Sequence, residues 1–285
     1  MGQKQLLAAV LAASVISVTA VAGDDPVLGH QIFGSGDEKV IVLHDWMGDS
    51  DNYTGLRQWL DADSFSYAFA DVRGYGKSMA LKGDYNTDEV AGDIVRLADD
   101  LGWSKFHLVG HSMNGMSGFK AVMNDSKQSV KRIKSFVAVT PVTPDGYPAT
   151  DDDRAFLSAA ITDDETAGHA FGGLTGGKLN AAWSQRKTAH NRATSQTEAV
   201  KGYYEMWLNE DFSTEFAKAN IQTPVLVIGG RTDLPGFLED YYKKTLGVWL
   251  PNAKFEYIEN SGHYPMHETP VLFATLVESH INENK

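Results

Sequence analysis

Residues 105–119 read KFHLVGHSMNGMSGF. Phe106, Leu108 and Val109 make a short aromatic and aliphatic run, Gly110 and Gly115 permit a tight turn, and Met116 and Phe119 begin an apolar helical stripe. The stretch predicts a buried strand that turns sharply into a helix, with Ser112 at the apex. A hydroxyl held there lies beside backbone N–H groups and a helix N-terminus, which is what an acyl-transfer nucleophile needs. The same position also suits a serine that only caps the helix.

Working outward, short apolar runs alternate with amphipathic stretches from Val27 onward, which predicts an α/β fold with a mostly parallel central sheet flanked by helices. Runs at 30–33, 40–43 and 67–72 read as strands, with a loop at 44–50, a short helix at 53–60 and a glycine-spaced loop at 73–78 between and after them. Thr87 is expected to cap a helix whose apolar face is Val90, Ile94, Leu97 and Leu101. Residues 135–140 read as the next strand. Residues 142–219 differ in kind, being rich in Asp, Ala, Thr and Gly with helical pieces at 154–161 and 196–208 but no strand-like run. They read as a helical cap inserted over the C-terminal edge of the sheet, where open α/β sheets bind ligands. Trp46, Trp183, Tyr203 and Trp207 are the aromatics expected to line a substrate pocket. The sheet resumes at 224–228, a helix is expected at 237–246, a last strand at 254–258, and a final helix with Leu272, Leu276 and Ile281 on its buried side.

The chain has 285 residues and a formal charge of −12, with no cysteine. Its acidity disfavours nucleic acid and anionic membrane surfaces as partners, and disulfides and thiolate metal sites are excluded. Residues 1–22 carry Lys4, an apolar run and Ala20-Val21-Ala22, the pattern of a secretory signal cleaved near Ala22. The expectation is export, secreted or periplasmic, with a core at 23–141 and 220–285, a cap at 142–219, and no membrane association after cleavage. Histidine spacing suggests no metal site, and no cofactor is implied.

Three polar residues fall at the ends of three expected strands: Ser112, Asp233 and His263. Serine needs an imidazole to take its proton, and the imidazole needs an acid to fix its tautomer. The order along the chain is Ser, Asp, His.

The chain resembles the α/β-hydrolase family of serine hydrolases in His44-Asp45-Trp46-Met47-Gly48, Asp71-Val72-Arg73-Gly74-Tyr75-Gly76-Lys77-Ser78, Gly110-His111-Ser112-Met113-Asn114-Gly115, Asp233, and Gly262-His263-Tyr264-Pro265-Met266-His267-Glu268-Thr269-Pro270. The resemblance implies Ser112 as nucleophile, Asp233 as acid and His263 as base, with an oxyanion hole made by the backbone N–H groups of Trp46 and Met113. Two positions depart from the family pattern: Asn114 stands where the elbow's second glycine is expected, and Asp45 replaces the glycine after His44. Asp145 is the alternative acid and His267 the alternative base, while His44 is expected to brace the oxyanion loop and His111 to pack at the sheet edge. The expected activity is hydrolysis of a small to medium carboxylic ester or lactone through an acyl-enzyme. Thioester, amide and C–C cleavage and perhydrolysis use the same triad, and a pocket-bearing binding protein with weak turnover is the rival of another class.

Overall fold

The computed structural model describes residues 26–285, so the expected signal and its cleavage point lie outside the described residues. Seven strands form one sheet: β1 (His30–Phe33), β2 (Glu38–Leu43), β3 (Phe65–Ala70), β4 (Phe106–His111), β5 (Ile133–Val139), β6 (Val225–Gly230) and β7 (Lys254–Ile258). Their order is β1-β3-β2-β4-β5-β6-β7, parallel throughout except for β1, which pairs antiparallel with β3 at one edge. β4 is the middle strand, and all six of its residues are buried. That burial explains its continuous apolar reading, because a parallel strand is covered on both faces by its crossover helices.

Two helices frame the central strand. α1 (Thr87–Asp100) buries Val90, Ile94 and Leu97. Its cap is Asn86, whose side chain accepts from the Glu89 N–H, and not Thr87, which is the first helical residue and donates instead to Glu210. α2 (Met113–Ser126) follows β4 directly and is buried almost all round. The stretch 50–59 is a 3-10 helix rather than an α-helix.

Between β5 and β6 the chain makes five helices: α3 (Asp151–Ala160), α4 (Asp164–Leu174), α5 (Ala181–Thr194), α6 (Thr197–Asn209) and α7 (Ser213–Lys218). After β6, the helix expected at 237–246 is broken into a 3-10 turn, α8 (Glu239–Lys244) and α9 (Leu246–Trp249). Thr245 makes the break: its hydroxyl bonds the Tyr241 carbonyl and its backbone leaves the helical region. α10 (Pro265–Glu268) and α11 (Pro270–Glu283) end the chain. On α11 the buried residues are Phe273, Ala274, Val277, His280 and Ile281, while Leu272 is 46% exposed, so the inner face is rotated from the expected one.

Candidate active site

Ser112 has φ 57 and ψ −118, a strained conformation for a residue with a side chain. The strain is held by neighbours on both sides. The Ser112 N–H donates to the Val139 carbonyl at the end of β5, and its carbonyl accepts from Gly115 and Val142. A side chain at Gly110 would meet the Asn114 carbonyl at 2.2 Å, and one at Gly115 would meet Pro141 at 2.3 Å. The crowding that demands glycine therefore falls at 110 and 115 and not at 114. The Asn114 side chain fits within the fold and donates from Nδ2 to the His44 carbonyl at 2.7 Å.

The Ser112 side chain makes no capping bond to α2. Its Oγ lies 2.8 Å from His263 Nε2, and His263 Nδ1 lies 2.7 Å from Asp233 Oδ2. All three side chains are buried. A carboxylate facing Nδ1 fixes the N–H on that nitrogen and leaves Nε2 as the acceptor for the hydroxyl proton. Burial pushes the Asp233 carboxyl above its ordinary value, with the His263 ring and the Leu234 N–H pulling the other way. The arrangement is able to pass a proton from Ser112 to His263 and to stabilise the imidazolium that results.

The other candidates are placed elsewhere. Asp145 bonds Thr143 and Tyr241, and not His263. His267 lies half-buried against Trp183 and Tyr264, its pKa pushed down to about 4 by desolvation, and makes no bond to Ser112. His111 ends the middle strand rather than a sheet edge, and its Nε2–H donates to the His263 carbonyl at 2.8 Å. Burial lowers its pKa to about 3, so it stays neutral. The hydroxyl of Thr140 also donates to that carbonyl, at 3.2 Å. The Glu268 carboxylate accepts from the Gly262 and Tyr264 N–H groups on either side. The histidine's loop is thus tied from both flanks.

Met113 follows Ser112 directly, and Trp46 lines the same cavity as the serine. Met113 begins α2, where backbone N–H groups have no helical acceptor, and neither its N–H nor that of Trp46 has an acceptor among the described residues. The Trp46 backbone is fixed by the Tyr75 hydroxyl, 2.5 Å from its carbonyl, and its indole by the Val200 carbonyl of α6, 2.8 Å away. His44 braces the same loop through Nδ1 to the Asp45 carbonyl and Nε2 to the Val72 N–H.

Ser112 and His263 open onto a cavity of about 250 Å³. Its walls are apolar, drawn from the core loops (Trp46, Met47, Phe237) and the inserted helices (Leu157, Phe171, Trp207). Of the four aromatics expected there, Trp46 and Trp207 line it. Tyr203 does not: it is fully buried against Tyr75 and Tyr85 in the core. Trp183 packs edge-on against Phe171 and Tyr264, two residues of the lining, rather than lining the cavity itself. Phe237, Tyr147 and Tyr264 line it without having been singled out in the sequence, since nothing distinguishes a pocket aromatic from a core aromatic before the fold is known.

Residues 39–270 match the model of a family described as alpha/beta hydrolase fold. Over 109 residues the chain is 32% identical to a dihydrolipoyllysine-residue acetyltransferase component of the acetoin cleaving system from Cupriavidus necator, a match covering 38% of this chain and only 28% of that protein. It is 24% identical to a proline iminopeptidase from Clostridioides difficile, over 87% of this chain and 91% of the other. Among solved structures, an esterase from Exiguobacterium antarcticum superposes with a TM-score of 0.73 at 20% identity, covering 89% of this chain and 94% of that one. The family match takes in the strained serine turn, the ends of β6 and β7 and the sheet that carries them: the protein is a hydrolase of the alpha/beta hydrolase family.

Proposed function

We propose that the protein hydrolyses small to medium neutral carboxylic esters or lactones by acylation of Ser112. In this reading Ser112 Oγ attacks the carbonyl carbon as its proton passes to His263 Nε2. The N–H groups of Trp46 and Met113 receive the developing oxyanion. His263 then protonates the leaving alkoxide, and water, deprotonated by the same nitrogen, attacks the acyl-enzyme to release the acid and restore the serine.

The observation that carries the reading is the character of the cavity onto which the relay opens. No Lys or Arg is among its lining residues, so it offers no permanent cation to an anionic substrate. Of its two carboxylates, Asp45 is engaged through both oxygens by Asn52 and Tyr264, while the exposed Asp153 accepts from Thr150 through one oxygen as part of the N-terminal cap of α3. A free amino terminus, the group an aminopeptidase must hold, finds no buried unengaged carboxylate among the lining residues. The volume is at the small end of ligand pockets, which favours short acyl and alcohol parts.

The test is turnover of p-nitrophenyl acetate and butyrate, a lactone series and proline p-nitroanilide by the wild type beside Ser112→Ala. Esters or lactones should be cleaved by the wild type, with loss of at least about 10³-fold in kcat in the variant. Hydrolysis unchanged by the substitution would falsify the role given to Ser112, and a preference for the anilide would replace the ester reading by a peptidase one.

A further inference from the structure

Lys187 sits in the middle of α5, with only 7% of its side chain exposed. Its ammonium donates to Asn52 Oδ1 and lies 3.7 Å from Asp45 Oδ1 and 5.2 Å from the centre of the Tyr264 ring. Asp45 is equally buried. Its Oδ1 accepts from Asn52 Nδ2 at 2.5 Å and its Oδ2 from the Tyr264 hydroxyl at 2.6 Å. Asp45 precedes Trp46, the proposed oxyanion donor, and Tyr264 follows His263, the proposed base. One carboxylate therefore joins the two loops that must be in register for acyl transfer, and a cation from the inserted helices faces it.

Two further contacts tie the insertion to the same loops. The His263 N–H donates to the Leu174 carbonyl at the end of α4, at 2.8 Å. His190, three residues beyond Lys187 on α5, bonds Asp49 at 2.7 Å. Burial alone would raise the Asp45 carboxyl, yet the Lys187 ammonium, ahead of the neighbouring His111 ring and the Tyr264 hydroxyl, helps hold it below its ordinary value. A buried carboxylate left without its cation is costly, so moving α5 away is opposed by that cost.

We propose that Asp45 and Lys187 are positioning residues for the Ser112 reaction: their buried pair locks α5 to both the Trp46 loop and the His263 loop, so that the reacting groups are aligned only while the insertion is seated. The lock rests on the hydrolase reading for its catalytic half, while its mechanical half is measurable without turnover.

The experiment compares Lys187→Met, Asp45→Asn and the double variant with wild type by hydrogen exchange, melting temperature and steady-state kinetics on the p-nitrophenyl esters. Lys187→Met should speed exchange at 45–48 and 262–264 as well as in α5, while β4 and β5 stay protected. Its kcat should fall about 10²-fold with KM changed much less, the effect of misaligned reacting groups. The double variant, which leaves neither charge unpaired, should regain melting temperature while kcat stays low. Unchanged exchange in the two loops overturns the lock whatever the protein hydrolyses. Recovery of kcat along with melting temperature in the double variant overturns it too, since the pair would then serve stability alone. Failure of the hydrolase reading appears separately, as wild-type turnover that Ser112→Ala does not remove.

Discussion

Asn114 and Asp45, the two departures from the family pattern, both place a side chain where glycine is expected; the first ends on the loop before Trp46, and the second ties that loop to its neighbours. Asn114 reaches the His44 carbonyl and Asp45 reaches Asn52 and Tyr264. Replacing Asn114 by alanine keeps α2 but leaves the buried His44 carbonyl without a donor, which costs about 1–3 kcal/mol. For a chain of this size we expect the melting temperature to fall by roughly 2–10 °C; calorimetry on Asn114→Ala checks it, and an unshifted transition contradicts the brace. The residue types at 114 and 45 were visible as anomalies in the sequence. What they touch was not, because their partners lie up to 219 residues away along the chain.

At the scale of elements, the sheet was legible where turn chemistry and apolar runs agree: β4, its glycines and α2 follow from local pattern alone. Agreement failed where tertiary contact outweighs pattern. On α11 two apolar rows are present, and the sheet takes the Phe273, Val277 and Ile281 row and leaves Leu272 outside. In the sequence, Lys187 lies in a run of polar residues that signals no element; only packing against Phe171 and Tyr264 turns it inward. The seat of α4 on the histidine loop is equally invisible from sequence, though its closeness is testable. A methyl at Gly262 would meet the Leu174 carbonyl at 2.3 Å and Thr175 at 3.0 Å. Gly262→Ala must therefore shift His263 or lift the end of α4, and kcat on the cleaved ester should fall at least about tenfold. Kinetics identical to wild type would show that this junction yields freely.

Over the whole molecule, buried histidines set the response to acid. Burial lowers the pKa of His107 to about 4, of His111 to about 3 and of His267 to about 4. In the unfolded chain each takes its proton near 6.5. Between roughly pH 6.5 and 4 the unfolded state thus binds more protons, and stability declines as pH falls through that window. Asp233 and Glu268, raised by burial, act in the opposite sense just above the ordinary carboxylate range, but two groups stand against four, since burial lowers His280 as well. The melting temperature should therefore be highest near pH 7–8 and drop steadily by pH 5; a flat or rising profile on acidification would contradict the burial assigned to these rings.

The order of the strands has a bearing on how the protein is made. Ser112 leaves the ribosome with β4 and its turn, but Asp233 follows only after the five inserted helices, and His263 only with the final stretch after β7. A nascent chain interrupted anywhere before that stretch holds a serine with no base to take its proton. On the proposed reading the hydroxyl thus stays inert toward esters throughout synthesis, and the Ser112–His263 pair is completed only late, when the stretch after β7 brings the imidazole into reach.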